Sequence, residues 1–214
     1  PEAEGYPGGE ERARWHMQKG LDIFQHYFEK KPTGVWLSEG ALSESAIRLL
    51  DEYSIGWTAS GEGVWGNSCQ TSNISADKMH CKRMLFEGLQ LEDSDCTLFF
   101  RDDGLSDLIG FRYSTWYGDD AVADFVGHIE GIADMFADEE QSRIVSVILD
   151  GENAWEYYPE NATHFLRRLY EQLSNNPKIE LTTFNNALAD DVKTSPLSTL
   201  LSEILLYVTF STKI

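Results

Sequence analysis

The chain has 214 residues, of which 42% are hydrophobic and 12% aromatic, and only three cysteines, so it is neither intrinsically disordered nor a small disulfide-rich scaffold. Its 36 acidic and 17 basic residues leave a formal net charge of −19, which argues against binding to nucleic acid or to an anionic membrane. No apolar run reaches the roughly 18 residues of a membrane helix, and we therefore expect a globular protein.

The first part of the chain alternates between helical and extended patterns of apolar residues. In chain order these patterns predict a helix over residues 10–30, a strand at 35–37, a helix over 43–53, a strand at 55–59, a long loop over 61–73 and a weaker helix over 77–86. Ser43 is predicted to cap the second helix, because a serine hydroxyl accepts a hydrogen bond from a backbone N–H of the first turn. The loop is predicted from its glycine, serine and asparagine content.

The same alternation continues to the end of the chain. It predicts a strand at 96–100, a loop over 101–118, a helix over 119–136, a strand at 144–149, a helix over 165–173 and a strand at 179–184. Strands that alternate with helices in this way are typical of an α/β fold with a parallel sheet and outer helices. The pattern alone leaves open whether the sheet closes into a barrel or stays flat in a sandwich.

The cysteines and the N-terminus bear on metal binding and on the compartment. Cys69, Cys81 and Cys96 are odd in number and lack C-x-x-C spacing, so we expect buried free thiols and no metal site. The first residues show neither the basic nor the apolar region of a signal peptide. We therefore expect a cytoplasmic protein.

Acidic residues follow several of the predicted strands directly. Glu39, Asp102 and Asp150 each stand one to three positions after a strand. In parallel α/β folds, catalytic and binding groups gather at the carboxyl ends of the strands, so these three acids are expected to converge in one cleft. Each taken singly is equally typical of an ordinary loop acid or of a cap on the next helix.

The overall charge pattern leaves two interpretations of this acidic region open. Residues 87–160 hold 19 acidic residues against three basic ones, a pattern that is commonest on a solvated face. The same region could instead line a sugar-binding cleft, because tryptophans accompany the acids and flat indole rings stack on pyranose faces. A pair of carboxylates in such a cleft can cleave a glycosidic bond.

Three short motifs resemble glycoside hydrolase family 57, which includes α-amylases, amylopullulanases and 4-α-glucanotransferases. They are the run G-V-W-L-S-E ending at Glu39, the run L-D-G-E-N-A-W-E that contains Asp150, and F-R-D followed by L-S-D-L-I-G-F ending at Phe111. The resemblance covers roughly residues 34–184. It implies that Glu39 is the catalytic nucleophile and Asp150 the general acid/base.

The resemblance also implies the fold, the reaction and the substrate. The fold would be part of an incomplete, TIM-like (β/α)7 barrel, and the reaction a retaining cleavage or transfer at α-glucosidic bonds, without a cofactor. The partner would be an α-glucan polysaccharide or oligosaccharide. The implied substrate contacts are Trp36, Glu62, Arg101, Asp102, Asp107, Glu152 and Trp155.

The chain departs from the family pattern at several positions. An N-terminal H-Q-P segment is absent, Gly61 replaces an acid, and Asp103 replaces a histidine. We expect residues 1–190 to form a partial barrel lacking its N-terminal strand, and 191–214 to begin a truncated helical region.

The departures from the family pattern keep a second function open, a glycan-binding protein that has lost catalysis. A metal-dependent sugar deacetylase ranks last, because the histidines show no ligand spacing.

Overall fold

The structure is a computed structural model that describes residues 7–71, 78–151, 155–190, 192–198 and 200. Its strands within these ranges are β1 (Gly34–Trp36), β2 (Trp57–Gly61), β3 (Gly88–Leu91), β4 (Thr97–Arg101) and β5 (Thr194–Leu197). Its α-helices are α1 (Gly9–Phe28), α2 (Glu44–Glu52), α3 (Glu62–Thr71), α4 (Lys78–Met84), α5 (Asp103–Asp107), α6 (Gly118–Asp134), α7 (Thr163–Ser174) and α8 (Phe184–Ala189).

The strands form one mostly parallel sheet in the order β1-β2-β4-β3-β5. β1 and β4 both run parallel to β2, whereas β3 runs antiparallel to β4 and parallel to β5. β2 pairs with one edge of β4 along the whole length of that strand. On the other edge of β4, β3 pairs with the first residues, and Ser146 forms a parallel bridge with the last residue, Arg101. The carboxyl ends of β1, β2, β4 and the segment after Ser146 therefore lie at the same edge of the sheet.

Apolar side chains fill both faces of this sheet. Leu98 and Phe100 of β4 pack in a cluster with residues of α2, α3 and α4. Phe99, between them, points to the opposite face and stacks on Phe184 of α8, with ring centroids 4.4 Å apart. This alternation is what a strand buried on both faces requires. A further cluster joins α6 to α7 around Phe125 and Phe165.

Most of the predicted elements are confirmed, including the helices with long apolar stripes. The helices predicted over 10–30, 43–53, 77–86, 119–136 and 165–173 correspond to α1, α2, α4, α6 and α7. Ser43 caps α2, because its Oγ accepts a hydrogen bond from the N–H of Ala46 at 3.2 Å. The strands predicted at 35–37, 55–59 and 96–100 correspond to β1, β2 and β4. The α/β class with a mostly parallel sheet is confirmed.

Other predictions are wrong where tertiary packing overrides local composition. The glycine-rich stretch predicted as a loop from residue 61 contains α3, which buries Trp65 and Cys69 in the core. The stretch 101–118 contains α5 and further helical turns rather than a plain loop. No strand forms over residues 179–183, and α8 begins at Phe184. β3 and β5 were not predicted.

The segment predicted as a strand at 144–149 is extended but pairs with the sheet through the single bridge at Ser146. Its side chains still alternate as in a strand. Ile144 and Ile148 pack on the Phe99 side of the sheet, and Val147 and Leu149 pack against the α6–α7 cluster. Burial of apolar side chains on both faces therefore holds this segment where a full ladder of hydrogen bonds is absent.

The expectation that Cys69 and Cys81 are free thiols is wrong, because they form a disulfide between α3 and α4. Cys96 is free and buried, as predicted. Its burial and the nearby Asp51 carboxylate raise the pKa of the Cys96 thiol to about 12, so the thiol stays protonated.

Within the described parts of the chain, no helix is both long and apolar enough to cross a membrane. Residues 201–214, most of the predicted truncated region, lie outside the described residues.

Candidate active site

Glu39 lies in a tight turn (Ser38–Gly40) directly after β1. Glu39 and Gly40 both have left-handed backbone conformations, with φ of 57° and 65°. The indole of Trp36 packs against Gly40 so closely that a Cβ there would lie 2.8 Å from Cζ2. The buried hydroxyl of Ser60 in β2 donates a hydrogen bond to the Gly40 carbonyl at 2.6 Å. This support holds the turn while Glu39 itself stays exposed to solvent.

Glu62 follows β2 and contacts the residues that follow β4. Its Oε2 accepts a hydrogen bond from the backbone N–H of Asp103 at 3.3 Å. Partial burial, together with the negative charge of Asp102, raises the pKa of the Glu62 carboxyl above its ordinary value. Although the residue as a whole is exposed, the Glu62 carboxyl therefore keeps its proton to a higher pH than an unperturbed glutamate.

Asp102 caps the short helix α5. Its Oδ1 accepts a hydrogen bond from the N–H of Leu105 at 2.8 Å, and its own N–H donates to the Ser146 carbonyl at 2.9 Å. The helix-cap interpretation of this acid is therefore correct for one of its two oxygens. The backbone hydrogen bond from Asp102 to Ser146 fixes where the end of β4 meets the segment that carries Asp150.

Arg101, the last residue of β4, uses all three guanidinium nitrogens. Nη1 contacts Asp103 at 2.6 Å, Nη2 contacts Asp107 at 2.7 Å, and Nε donates to the Ile148 carbonyl at 2.9 Å. Burial disfavours the charge, but the hydrogen bonds with Asp107 and Asp103 outweigh it and raise the pKa of the guanidinium. The side chain is a fixed cation between two carboxylates at the candidate site.

Asp150 lies at the end of the extended segment and is exposed. Two positions earlier, side chains hold both backbone groups of Ile148. The N–H donates to Ser106 Oγ at 3.3 Å, and the carbonyl accepts from Arg101 Nε. The same Ser106 hydroxyl, fully buried, donates to the Asp102 carbonyl at 2.8 Å. The backbone that carries Asp150 is thereby tied to the end of β4.

The predicted aromatic contacts have different surroundings. Trp36 is 40% exposed at the end of β1 and is available to a ligand. Trp155 is half-buried, with its ring 5.8 Å from that of Tyr158 and against the α6–α7 cluster. Glu152 lies outside the described residues. The substrate-binding roles of these three residues stay predictions.

The structure brings most of the predicted site residues to one edge of the sheet. Glu39, Glu62, Asp102 and Asp150 follow β1, β2, β4 and the Ser146 segment, which are consecutive neighbours, and Asp107 joins them through Arg101. Within the described ranges no group of three or more histidine, cysteine or acidic side chains is arranged to hold a metal ion. An arrangement of carboxylates, one fixed arginine and an exposed indole suits the binding of sugar hydroxyls and acid–base chemistry.

Sequence reasoning missed the residues that support the acids. These are Ser60 behind Glu39, Ser106 behind Asp150 and Asp103 beside Arg101. The two serines are fully buried. Small polar residues next to apolar runs are a weak signal for such roles, because only the fold shows which backbone group a hydroxyl reaches.

The sequence model of glycosyl hydrolase family 57 matches residues 6–199 of the chain. None of the curated proteins matches it in sequence. Among solved structures, a GH57 branching enzyme from Thermococcus kodakaraensis, in complex with glucose and additives, is similar with a TM-score of 0.71 and 15% identity, over 90% of this chain and 46% of its own length. The alpha-amylase AmyC from Thermotoga maritima has a TM-score of 0.66 and 12% identity, over 87% and 47%.

A 4-alpha-glucanotransferase from Thermococcus litoralis is also similar, with a TM-score of 0.59 and 22% identity, over 84% of this chain and 26% of its own. The chain therefore spans between about a quarter and a half of the length of these structures. At such identities the likeness concerns the fold. It confirms the predicted class, an α/β chain that forms part of an incomplete (β/α)7 barrel.

Proposed function

Since the chain belongs to glycosyl hydrolase family 57, we propose that it acts on the α-glucosidic bonds of starch- or glycogen-like glucans, as a retaining hydrolase or glucanotransferase. The names of the similar structures, a branching enzyme, an amylase and a glucanotransferase, support an α-glucan substrate. The observation that carries the proposal is the position of Glu39 and Asp150, exposed at the carboxyl ends of segments that run in the same direction.

In the proposed reaction the two acids divide the work of a double displacement. The Glu39 carboxylate attacks the anomeric carbon while Asp150 protonates the departing glycosidic oxygen, which gives a covalent glycosyl-enzyme. Asp150, now a carboxylate, then takes a proton from the incoming hydroxyl group, and the Glu39 ester bond breaks. Such a mechanism needs the two carboxyl groups about 5 to 5.5 Å apart when substrate is bound.

The acceptor in the second step decides between the two activities. Water as acceptor gives hydrolysis, and the hydroxyl of a second glucan gives transfer.

The remaining residues of the site are proposed to hold the glucan. Trp36 would stack on a pyranose face, and polar contacts to sugar hydroxyls are proposed for Glu62, Asp102, Asp107 and Glu152, with Trp155 at the rim. The family resemblance implies such a contact for Arg101 as well, but its three guanidinium nitrogens already bind Ile148, Asp103 and Asp107.

Substitution of the two acids tests this proposal. In the full-length protein, Glu39→Gln and Asp150→Asn are each expected to lower the release of reducing ends from maltooligosaccharides by roughly a thousandfold or more, because each removes a group that acts on the reacting bond. Circular dichroism should show an unchanged fold, since both side chains are exposed. Transfer is measured alongside, as the appearance of longer glucans.

Matched controls are available at the opposite edge of the sheet. Glu92 and Asp93 are exposed acids that directly follow β3, which runs antiparallel to β4. Glu92→Gln and Asp93→Asn should keep full activity. Wild-type activity in Glu39→Gln or Asp150→Asn would contradict the assignment. Binding of maltooligosaccharides by the wild type without any turnover would instead favour a glycan-binding protein that has lost catalysis.

A further inference from the structure

The segment that carries Asp150 is held in an unusual way. Within the described residues, its pairing with β4 consists of one bridge at Ser146, four positions before Asp150. β1, which precedes Glu39, instead pairs with β2 over three consecutive residues. Regular backbone hydrogen bonds therefore do not explain what fixes the last residues before Asp150.

Two side chains take over the function of the missing ladder. Arg101 Nε donates to the carbonyl of Ile148 at 2.9 Å, and Ser106 Oγ accepts from the N–H of Ile148 at 3.3 Å. The N–H and the carbonyl of Ile148 are thus both held by side chains, one from β4 and one from α5. Leu149 alone separates this clamp from Asp150.

The clamp is itself rigid. Asp103 and Asp107 bind the two terminal nitrogens of Arg101, so the plane of the guanidinium is set by three partners. The hydroxyl of Ser106 is fully buried and also donates to the Asp102 carbonyl. Neither side chain can turn away without leaving a buried or charged group without a partner.

We propose that Arg101 and Ser106 are positioning residues, which fix the general acid/base Asp150 by holding the backbone of Ile148. This inference rests on the proposed function of Asp150. It assigns the hydrogen bonds of Arg101 to the geometry of the acid, in place of the substrate contact that the family resemblance implies. A displacement of about 1 Å in a catalytic group can lower a rate by about a hundredfold, so the clamp would act on turnover.

Arg101→Lys is the main test, because lysine keeps the charge near Asp103 and Asp107 but has no Nε donor for Ile148. On maltooligosaccharides kcat should fall by about 10- to 100-fold, with KM within about threefold. On a nitrophenyl α-maltooligoside the loss in kcat/KM should be much smaller than on maltooligosaccharides. This constant reports the first step, in which a nitrophenolate departs with little help from an acid. A raised KM with unchanged kcat would assign Arg101 to substrate contact and overturn the inference.

Arg168→Lys is the matched control. Arg168 also has two carboxylate partners, with Nε bound to Asp119 at 2.9 Å and Nη1 bound to Glu171, but it joins α7 to α6. This variant should keep kcat, KM and the ratio between the two substrates. An equal loss on both substrates in Arg101→Lys would indicate general damage to the fold and would also contradict the positioning role.

A second variant and a double-mutant cycle keep the test independent of folding. Ser106→Ala leaves Arg101 and its ion pairs in place and should show the same leaving-group dependence, with a smaller loss.

In an Asp150→Asn background, Arg101→Lys should add little further loss, because both changes act through the same acid. Full additivity would overturn the inference while leaving the role of Asp150 intact. If Asp150→Asn keeps wild-type activity, the proposed function fails and the inference fails with it.

Discussion

Glu39 and Asp150 sit at the same edge of the sheet on supports of different construction. Glu39 is supported mainly by the backbone, through the β1–β2 ladder and a turn in which two consecutive residues have positive φ, with one side-chain hydrogen bond from Ser60 to Gly40. Side chains support Asp150, through Arg101 and Ser106 acting on Ile148. The comparison teaches that strands which end at one edge can place their acids by unrelated means.

The difference decides which substitutions each acid should tolerate. A backbone support is sensitive to changes in conformational freedom near the turn. A side-chain support is sensitive to the loss of one nitrogen or one hydroxyl, even where the backbone is free to vary. The neighbouring glycines, Gly40 after Glu39 and Gly151 after Asp150, make the contrast measurable.

The largest expected effect in this comparison comes from Gly40→Ala. The backbone there has φ of 65°, and the new Cβ would lie 2.8 Å from the Trp36 ring. We expect a loss of about 2 to 3 kcal/mol in the free energy of unfolding, measured by urea denaturation, and a loss of glucan cleavage. Among the described residues, no atom lies within 4 Å of a Cβ added at Gly151, so Gly151→Ala should unfold as the wild type does. Equal losses in both variants would remove the contrast between the two supports.

A smaller effect is expected from Ser60→Ala. The change removes the buried hydroxyl that donates to the Gly40 carbonyl, and an unsatisfied buried acceptor costs about 1 to 2 kcal/mol. Thermal unfolding should report this loss, and kcat should fall because the Glu39 turn is loosened. Ser68→Ala is a suitable control, since the Ser68 hydroxyl donates to the Val64 carbonyl within α3. A stability loss in Ser60→Ala without any change in kcat would show that the turn does not depend on this contact.

The smallest effect concerns Glu62, the carboxylate between the two supports. Burial raises the pKa of its carboxyl in the folded protein above that of the unfolded chain, about 4.3. As the pH rises through the interval between these two values, the unfolded state loses its proton first, and the stability of the wild type declines. Glu62→Gln cannot ionise, so it should be more stable than the wild type above this interval and equally stable below it. Melting temperatures measured from pH 3.5 to 7 test the sign, and a less stable variant at pH 7 would contradict it.

Much of the fold follows from local patterns. The apolar stripes of α2, α6 and α7 and the apolar runs of β2 and β4 are periodic signals that neighbouring residues carry by themselves. Packing against distant residues overrode the local signal elsewhere. The stretch after Gly61 is poor in helix formers, yet burial of Trp65 makes it helical. The segment 144–149 has the composition of a central strand, but its bridge joins Ser146 to Arg101, the last residue of β4, so the positions after Ser146 lie beyond the end of that strand.

The sequence by itself determined the α/β class, the family and the acids that follow the strands, because periodicity and short motifs are properties of adjacent residues. Only the tertiary structure decided how those acids are held. The contacts of Ile148 with Arg101 and Ser106 join residues 47 and 42 positions apart, and the Ser60–Gly40 contact spans 20. A buried hydroxyl or guanidinium binds the backbone group that the packed sheet brings within hydrogen-bond distance. That partner is distant in the sequence, so it is defined only in the folded structure.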